Sequence, residues 1–441
     1  MCGMKSGKAK YKVPGRFFLF VLPLVALYYK TILATLGFGF FTDMQPGIGG
    51  ESVQAAGVNE VFFDDSIYVN AYAKTAVIPT QPKHFPASLK LPLQLTLPND
   101  TFAIRQWYIQ NSGNFSKGNA KPGADIGLLQ AWEIEDGDSQ VVVAVLDGGT
   151  DINHPDFTGR IWKNMKEIPF NNIDDDFNGY VDDTAGWDFV NNDNFPQDET
   201  GHGTNVAGII GANINNSIGY AGIDNHCKLM ICKITDANGN GKYESWVSAI
   251  YYAVKNGARV INMSVGGIAP SAKLTEAINY ALANNVVVVS AMMNTNTNRP
   301  YYPAAINGVI AVGATNPDDS RAEPFFWDSE SGSNYGNHIS VVAPGNYIYG
   351  LSPQGDNFFW GGTSQAAPMV SGLAALLIAQ DFSRTPTDIK HIIEITADDG
   401  VGDPKQDSPG WDMYYGYGRI NAYNALKYFY APADMEQAYS N

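Results

Sequence analysis

Three residues of this chain have the types and settings that acyl-transfer chemistry needs. Ser364 stands near the start of Gly361 to Ala379, GGTSQAAPMVSGLAALLIA, a stretch followed by no charge until Asp381. An uncharged run so rich in Ala and Leu predicts a helix buried on all sides, with Pro368 in its first turn and Gly372 allowing a close neighbour. A serine at the N-terminus of such a helix faces unpaired backbone N–H groups and the positive dipole end, which suits a nucleophile whose attack creates an oxyanion. By itself the position also reads as an ordinary N-cap. His202 lies between Gly201 and Gly203 at the head of a second helical stretch, GHGTNVAGIIGA, residues 201–212. Asp147 follows the apolar run Val141 to Leu146, VVVAVL. In an open parallel sheet, catalytic groups gather at the carboxyl ends of such strands. A hydroxyl nucleophile, an imidazole base and a carboxylate that fixes the imidazole tautomer make a serine hydrolase. Each of the three has a plain structural explanation when taken alone. His84, His154, His226, His338 and His391 have no comparable setting.

A second chemistry is legible between Asp147 and His202. Asp174-Asp175-Asp176-Phe177-Asn178-Gly179 fits D-x-D-x-N-G, the opening of a calcium loop, in which oxygens at alternate positions and a Gly at the sixth let the chain wrap one cation. Asp174, Asp176 and Asn178 would supply side-chain oxygens and Tyr180 its backbone carbonyl. Asp182 or Asp183 would add a further carboxylate. The twelfth position is Ala185 rather than Glu, so the loop is no complete EF-hand. Its bland alternative is a solvated acidic loop, but so many carboxylates packed without a cation would repel one another.

The elements that must hold these residues follow from periodicity. Leu229 to Ile234, Arg259 to Met263, Val286 to Ala291 and Val309 to Val312 read, like Val141 to Leu146, as buried parallel strands. His202 to Ala212, Tyr243 to Asn256 (closed by Gly257), Lys273 to Asn284, Thr387 to Ala397 and Arg419 to Tyr428 read as helices. The alternation predicts an α/β fold: a doubly wound, mostly parallel central sheet with helices on both faces. Cys227 and Cys232 would point to opposite faces of their strand, so no disulfide framework is expected.

Hydrophobic content of 45 % and charged content of 16 % in 441 residues describe a globular chain with a sizeable core. The formal net charge is −16, although every charge in residues 1–41 is positive. So acidic a body excludes nucleic acid as the expected partner. Residues 1–41 combine that basic stretch with the apolar runs Phe17 to Tyr29 and Thr31 to Phe41, interrupted by Lys30. They read as an uncleaved membrane anchor, a long signal peptide or a buried hairpin, and the first two export the body. Residues 42–98, with prolines at 79, 82, 86, 92 and 98, read as a linker or short propeptide. Residues 99–430 form the expected main domain and 431–441 a tail.

The chain resembles the subtilisin-like serine proteases, the subtilases of peptidase family S8. The resemblance covers about residues 98–430 and rests on VVVAVLDGGTDINHPDF, GHGTNVAG, INMSVGG, VVVVSAMMN, YYPAAINGVIAVGAT, VVAPG, GGTSQAAPMVSG and GYGRINAYNAL, in the family's order. The order Asp, His, Ser is that of subtilisin, and neither the G-x-S-x-G of α/β hydrolases nor the H-E-x-x-H of zinc proteases is present. The resemblance implies that Asp147 orients the base, His202 is general base and then general acid, and Ser364 is the nucleophile. It also implies that Asn294 is an oxyanion donor and that Ser264, Val265 and Gly266 pair with a bound peptide. A peptide or protein substrate, a monomer and a structural Ca2+ are the expected partners, with the membrane added if the N-terminal segment is retained. The alternative is a catalytically weak subtilase fold that binds peptides or serves a structural role at the cell surface.

Four residues depart from the family pattern. Gly148 replaces the usual Ser or Thr after the acid, and Met293 replaces the Gly before the oxyanion Asn. Asn205 and Gln365 stand where His or Ala, and Met, are usual; these two are expected to be benign. Met293 would either reach into the pocket for the substrate side chain, excluding large residues, or strain its loop and misplace Asn294 if a positive φ is required there.

Overall fold

The computed structural model describes residues 95–352 and 358–428; the apolar N-terminal segment, most of the proline-rich connector and the tail lie outside them. Nine strands form: β1 (Val142–Asp147), β2 (Gly186–Asp188), β3 (Lys228–Lys233), β4 (Val260–Met263), β5 (Val287–Ala291), β6 (Ile310–Thr315), β7 (Val341–Pro344), β8 (Ile348–Tyr349) and β9 (Phe359–Trp360). The main helices are α1 (His202–Gly211), α2 (Tyr243–Lys255), α3 (Ala272–Ala283), α4 (Thr363–Gln380), α5 (Pro386–Ile395) and α6 (Ala422–Lys427). β1 to β7 make one parallel sheet in the order β2-β3-β1-β4-β5-β6-β7, while β8 and β9 pair separately and antiparallel. The strand order reverses around β1, whose neighbours are β3 and β4. The crevice beyond the carboxyl ends at such a switch point is where open α/β sheets bind ligands.

Alternate side chains of each strand serve opposite faces. Val143 and Val145 of β1 join the core shared with α1, α4, α5 and α6. Ala144 and Leu146 join the core shared with α2 and α3. Cys227 and Cys232 fall in these two different cores, both buried and free, as the strand period requires. α4 packs on β4, β5, β6, β7 and α1, and every residue from Thr363 to Ile378 is buried. This is why its sequence lacks a polar face.

Two strands of the parallel sheet escape the periodicity because they are short edges, and the two-residue β8 and β9 are too short to show any. β2 has three residues, and β7 ends in Pro344, which an edge tolerates. Two helix boundaries move. α6 begins at Ala422, capped by Asn421, because Arg419 is drawn into a buried ion pair with Asp319 and a 2.8 Å bond to Asp398. Pro368 lies not in the first turn of α4 but at its sixth residue. The N–H it lacks would have bonded the carbonyl of Ser364. Ser264 Oγ donates to that carbonyl instead, at 3.0 Å.

Asn205 and Gln365 touch each other. Gln365 Nε2 donates to Asn205 Oδ1 at 3.3 Å, and Asn205 Nδ2 to the Leu351 carbonyl at 3.2 Å, joining α1 to α4 inside the core. Asn205→Ala is expected to destabilise the fold by about 1–3 kcal/mol by stranding a buried amide, whereas Asn205→Ala combined with Gln365→Met, apolar on both sides, should recover most of that loss. Denaturant unfolding of both single variants and the double checks the coupling; simply additive losses would dissolve the pair.

Candidate active site

The three candidate residues come from different elements that converge on the carboxyl edge of the sheet. Asp147 is the last residue of β1, His202 the first of α1 and Ser364 the second of α4. Two glycines allow β1 and α1 to meet so closely. Gly149 has φ +95°, and a Cβ there would lie 2.5 Å from the Gln197 carbonyl oxygen; one on Gly203 would strike the Gly149 carbonyl.

His202 Nδ1 and Asp147 Oδ1 are 2.7 Å apart. The same carboxylate oxygen accepts the Gly148 N–H at 2.7 Å, which fixes its direction. Asp147 Oδ2 is buried without a hydrogen-bond partner. Gly148 offers it no side-chain donor, although a Cβ there would meet only ordinary contacts, the nearest at 3.4 Å from Thr235 Oγ1. Trp360 covers the imidazole edge-on, its ring centroid 6.1 Å away.

A further carboxylate lies behind the histidine. Asp198 accepts the N–H groups of Thr200, Gly201 and Thr204 and the hydroxyls of Thr200 and Thr204, fixing the turn that enters α1. Burial alone would lower the basicity of His202. The charge and hydrogen bond of Asp147, with the charge of Asp198 added, outweigh it, and the imidazole titrates above its ordinary 6.5.

Ser364 is bound reciprocally to Ser264. The Ser364 hydroxyl donates to the Ser264 carbonyl at 3.3 Å, and the Ser264 hydroxyl to the Ser364 carbonyl at 3.0 Å. Asn262 Nδ2 donates to Ser264 Oγ at 3.1 Å, and Ser371 Oγ donates to Asn262 Oδ1 at 2.9 Å. Asn294 turns its carbonyl oxygen to Thr363, from which it receives the backbone N–H at 2.8 Å and the hydroxyl at 3.0 Å. Its amide nitrogen is thereby left as the end beside Gly362, where a Cβ would lie 3.0 Å from it. Met293 does adopt a positive φ, +74°. Asn294 nevertheless keeps its anchor, because Met293 N–H donates to Thr363 Oγ1 and Met293 C=O accepts from Asn334. Val265 packs toward the core under α2 and α3. Thr363, Asp198 and Trp360 were not singled out from the sequence; their roles arise from contacts across the fold, which no local pattern announces.

The acidic loop closes around a residue from outside it. Carboxylate oxygens of Asp174, Asp176 and Glu167 all lie within 4.8 Å of one another. Glu167 is buried and accepts the backbone N–H groups of Asp175, Asp176 and Asp182. Burial and the charge of Asp183 push its carboxyl above the usual range. The expectation that Asp182 or Asp183 joins the group does not match this geometry. Asp182 accepts the N–H groups of Asn171 and Asn172, and Asp183 is held by Asn164, Asn178 and Tyr252. Asn178 directs Oδ1 to the N–H of Tyr180. Three close carboxylates, two from the loop and one from outside it, form a hard, all-oxygen donor set that suits a divalent cation such as calcium.

The subtilase family profile matches residues 138–418. The chain is 35 % identical to thermitase of Thermoactinomyces vulgaris over 321 residues, 73 % of this chain and 100 % of that protein. It is 38 % identical to a thermophilic serine proteinase of Bacillus sp. (strain AK1) over 298 residues, 68 % of this chain and 64 % of that protein. Among solved structures, a protease of Pseudoalteromonas arctica PAMC 21717 superimposes with a TM-score of 0.59 at 27 % identity, covering 76 % of this chain and 99 % of that one.

The charges around His202 set a measurable expectation. Its ring protons, followed by NMR across pH, should titrate above 6.5. Asp147→Asn should move the midpoint down, and Asp198→Asn should move it down by less, since the former partner is in contact and the latter acts through space. A parent midpoint at or below 6.5 would contradict the electrostatic reading.

Proposed function

The chain belongs to the subtilase family of serine endopeptidases, and on that premise we propose that Asp147, His202 and Ser364 are its catalytic triad. The observation that carries the reading is the 2.7 Å pairing of His202 Nδ1 with Asp147 Oδ1 beside the first turn of α4. The pairing places the proton on Nδ1 and leaves Nε2 as the base. For attack, the Ser364 hydroxyl exchanges its bond to the Ser264 carbonyl for one to Nε2. Ser364 Oγ then bonds the peptide carbonyl carbon as its proton passes to His202. The Asn294 amide and the Ser364 backbone N–H receive the oxyanion. Collapse breaks the C–N bond, His202 returns the proton to the leaving amine, and an acyl-enzyme remains. Water, deprotonated by the same imidazole, releases the acid and regenerates Ser364.

Ser364→Ala should abolish both fluorophosphonate labelling and casein hydrolysis, lowering turnover by several orders of magnitude, and Asn294→Ala should cost roughly 10²- to 10³-fold in kcat. Full labelling of the Ser364→Ala protein would remove the assignment.

We further propose that Asp174, Asp176 and Glu167 hold a structural Ca2+, with Asn178 and the Tyr180 carbonyl completing the shell from the loop. The ion would neutralise carboxylates that otherwise repel and would lock the insertion between β1 and α1. The basic, apolar residues 1–41 favour export of the body, secreted or tethered, ahead of the 42–98 connector. Among the described residues, no helix is long and apolar enough to cross a membrane.

A ligand bound only by the folded state raises stability with its concentration. Chelator should therefore lower the Tm, and Asp176→Ala or Glu167→Gln should make the Tm insensitive to calcium. An unchanged melting curve in chelator would exclude a bound ion.

A further inference from the structure

β4 and β5 are adjacent parallel strands, with Met263 opposite Ser290. Beyond their ends the chain continues as Ser264–Gly266 and as Met292–Asn294. Both segments are fastened to the start of α4, the first through the reciprocal bonds of Ser264 and Ser364, the second through Asn294 and Thr363. They therefore stand as two walls beside Ser364. On the proteolytic reading, an acyl group on Ser364 whose oxygen meets the Asn294 amide would set its side chain in the space between them.

That space is taken by Met293. A Cβ built on Gly266 would lie 2.7 Å from Met293 Sδ and 2.8 Å from Met293 Cγ, with Tyr301 Cβ next at 3.6 Å. The thioether thus lies directly on the bare backbone of the opposite wall. Its direction is set by the left-handed backbone at φ +74°, which is pinned on both sides by Thr363 Oγ1 and the Asn334 N–H. A non-glycine residue held in that region is costly and persists only where its surroundings over-determine it.

Resting on the proteolytic reading of Ser364, we infer that Met293 closes this slot and restricts the residue on the acyl side of the cleaved bond to small side chains: Gly, Ala or Ser. Leu, Phe and Tyr are excluded by volume rather than by charge. Gly266 is the counterpart that leaves just enough room for the thioether, so the two residues act as one device.

The test is a panel of peptide substrates that differ only at that residue (Ala, Leu or Phe), read as kcat/KM for the parent, Met293→Gly and Met293→Ala. Fluorophosphonate labelling of Ser364 runs alongside, because it does not depend on the substrate side chain. The parent should prefer Ala over Phe by about 10²-fold, the range that a pocket gains from excluding a few carbons. Met293→Gly should raise cleavage after Phe by at least about ten-fold relative to Ala, with Met293→Ala intermediate. Labelling lost in the parent would refute the proteolytic reading itself. A labelled parent that cleaves best after Phe would overturn the closed slot alone. So would a Met293→Gly enzyme accelerated equally on every substrate, since that is relief of backbone strain and not an opened pocket.

Discussion

The structure depends on how one buried helix begins. Pro368 removes the N–H that would have closed α4 onto the Ser364 carbonyl, and a bare carbonyl inside a core is expensive. The Ser264 hydroxyl resolves this by donating to it, and Asn262 and Ser371 extend the chain of bonds back into the sheet and onto α4 itself. The helix is thereby registered against β4 by polar contacts in a medium of low dielectric, where each bond is stronger than in water and an unmade one costs more. An apolar helix packed only by Ala, Leu and Val could slide by a fraction of a turn. This one cannot without stranding buried donors, so Ser364 is set relative to the ends of β1 and β5, where Asp147 and Asn294 wait.

The same first turn orients Asn294. Thr363 gives both its N–H and its hydroxyl to Asn294 Oδ1 and accepts the Met293 N–H on the same hydroxyl. An Asn amide is ambiguous by itself, since either end can face a ligand. Two donors on its oxygen remove the ambiguity and leave the NH2 end toward the space beside Gly362. In the proposed oxyanion role the amide would need no reorganisation as charge develops, because its orientation is already fixed.

Much of this was legible in the chain. β1, β3, β4, β5 and β6 were visible because both faces of a central strand are apolar, and Asp147, His202 and Ser364 because their residue types sit at element ends in a telling order. The acidic loop is legible through Asp174, Asp176 and Asn178, whose spacing is local. Glu167 is not, because it reaches the loop from seven residues ahead of Asp174 with no motif around it. Asp182 and Asp183 follow the motif closely in sequence, but they turn to the backbone of Asn171 and Asn172 and to Asn164 and Tyr252, away from the carboxylates that converge. Asp198 was hidden for a similar reason: a carboxylate four residues before a histidine has no distinguishing pattern until the turn folds around it. The Pro368 expectation erred on a boundary. A proline at the sixth helical residue is tolerable here because Ser264, just beyond β4, supplies the missing donor, and that partner is 104 positions away in the chain.

The departures from the family pattern are not four independent changes. Asn205 and Gln365 face each other, so either amide alone in this core would leave a polar group stranded, and the two together satisfy one another. Met293 fits only because Gly266 has no side chain and because Thr363 and Asn334 hold its backbone. Gly148 is different, for nothing replaces the side chain it lacks, and Asp147 Oδ2 stays buried and unpartnered. A hydroxyl there would be a second side-chain donor to the carboxylate, beside the Nδ1–H of His202. The charge of Asp147 acts on His202 at contact, Asp198 adds its own through space, and together they favour the imidazolium against the effect of burial. The imidazole is thereby free to accept a proton only above its ordinary range, an effect that two carboxylates from different elements impose together.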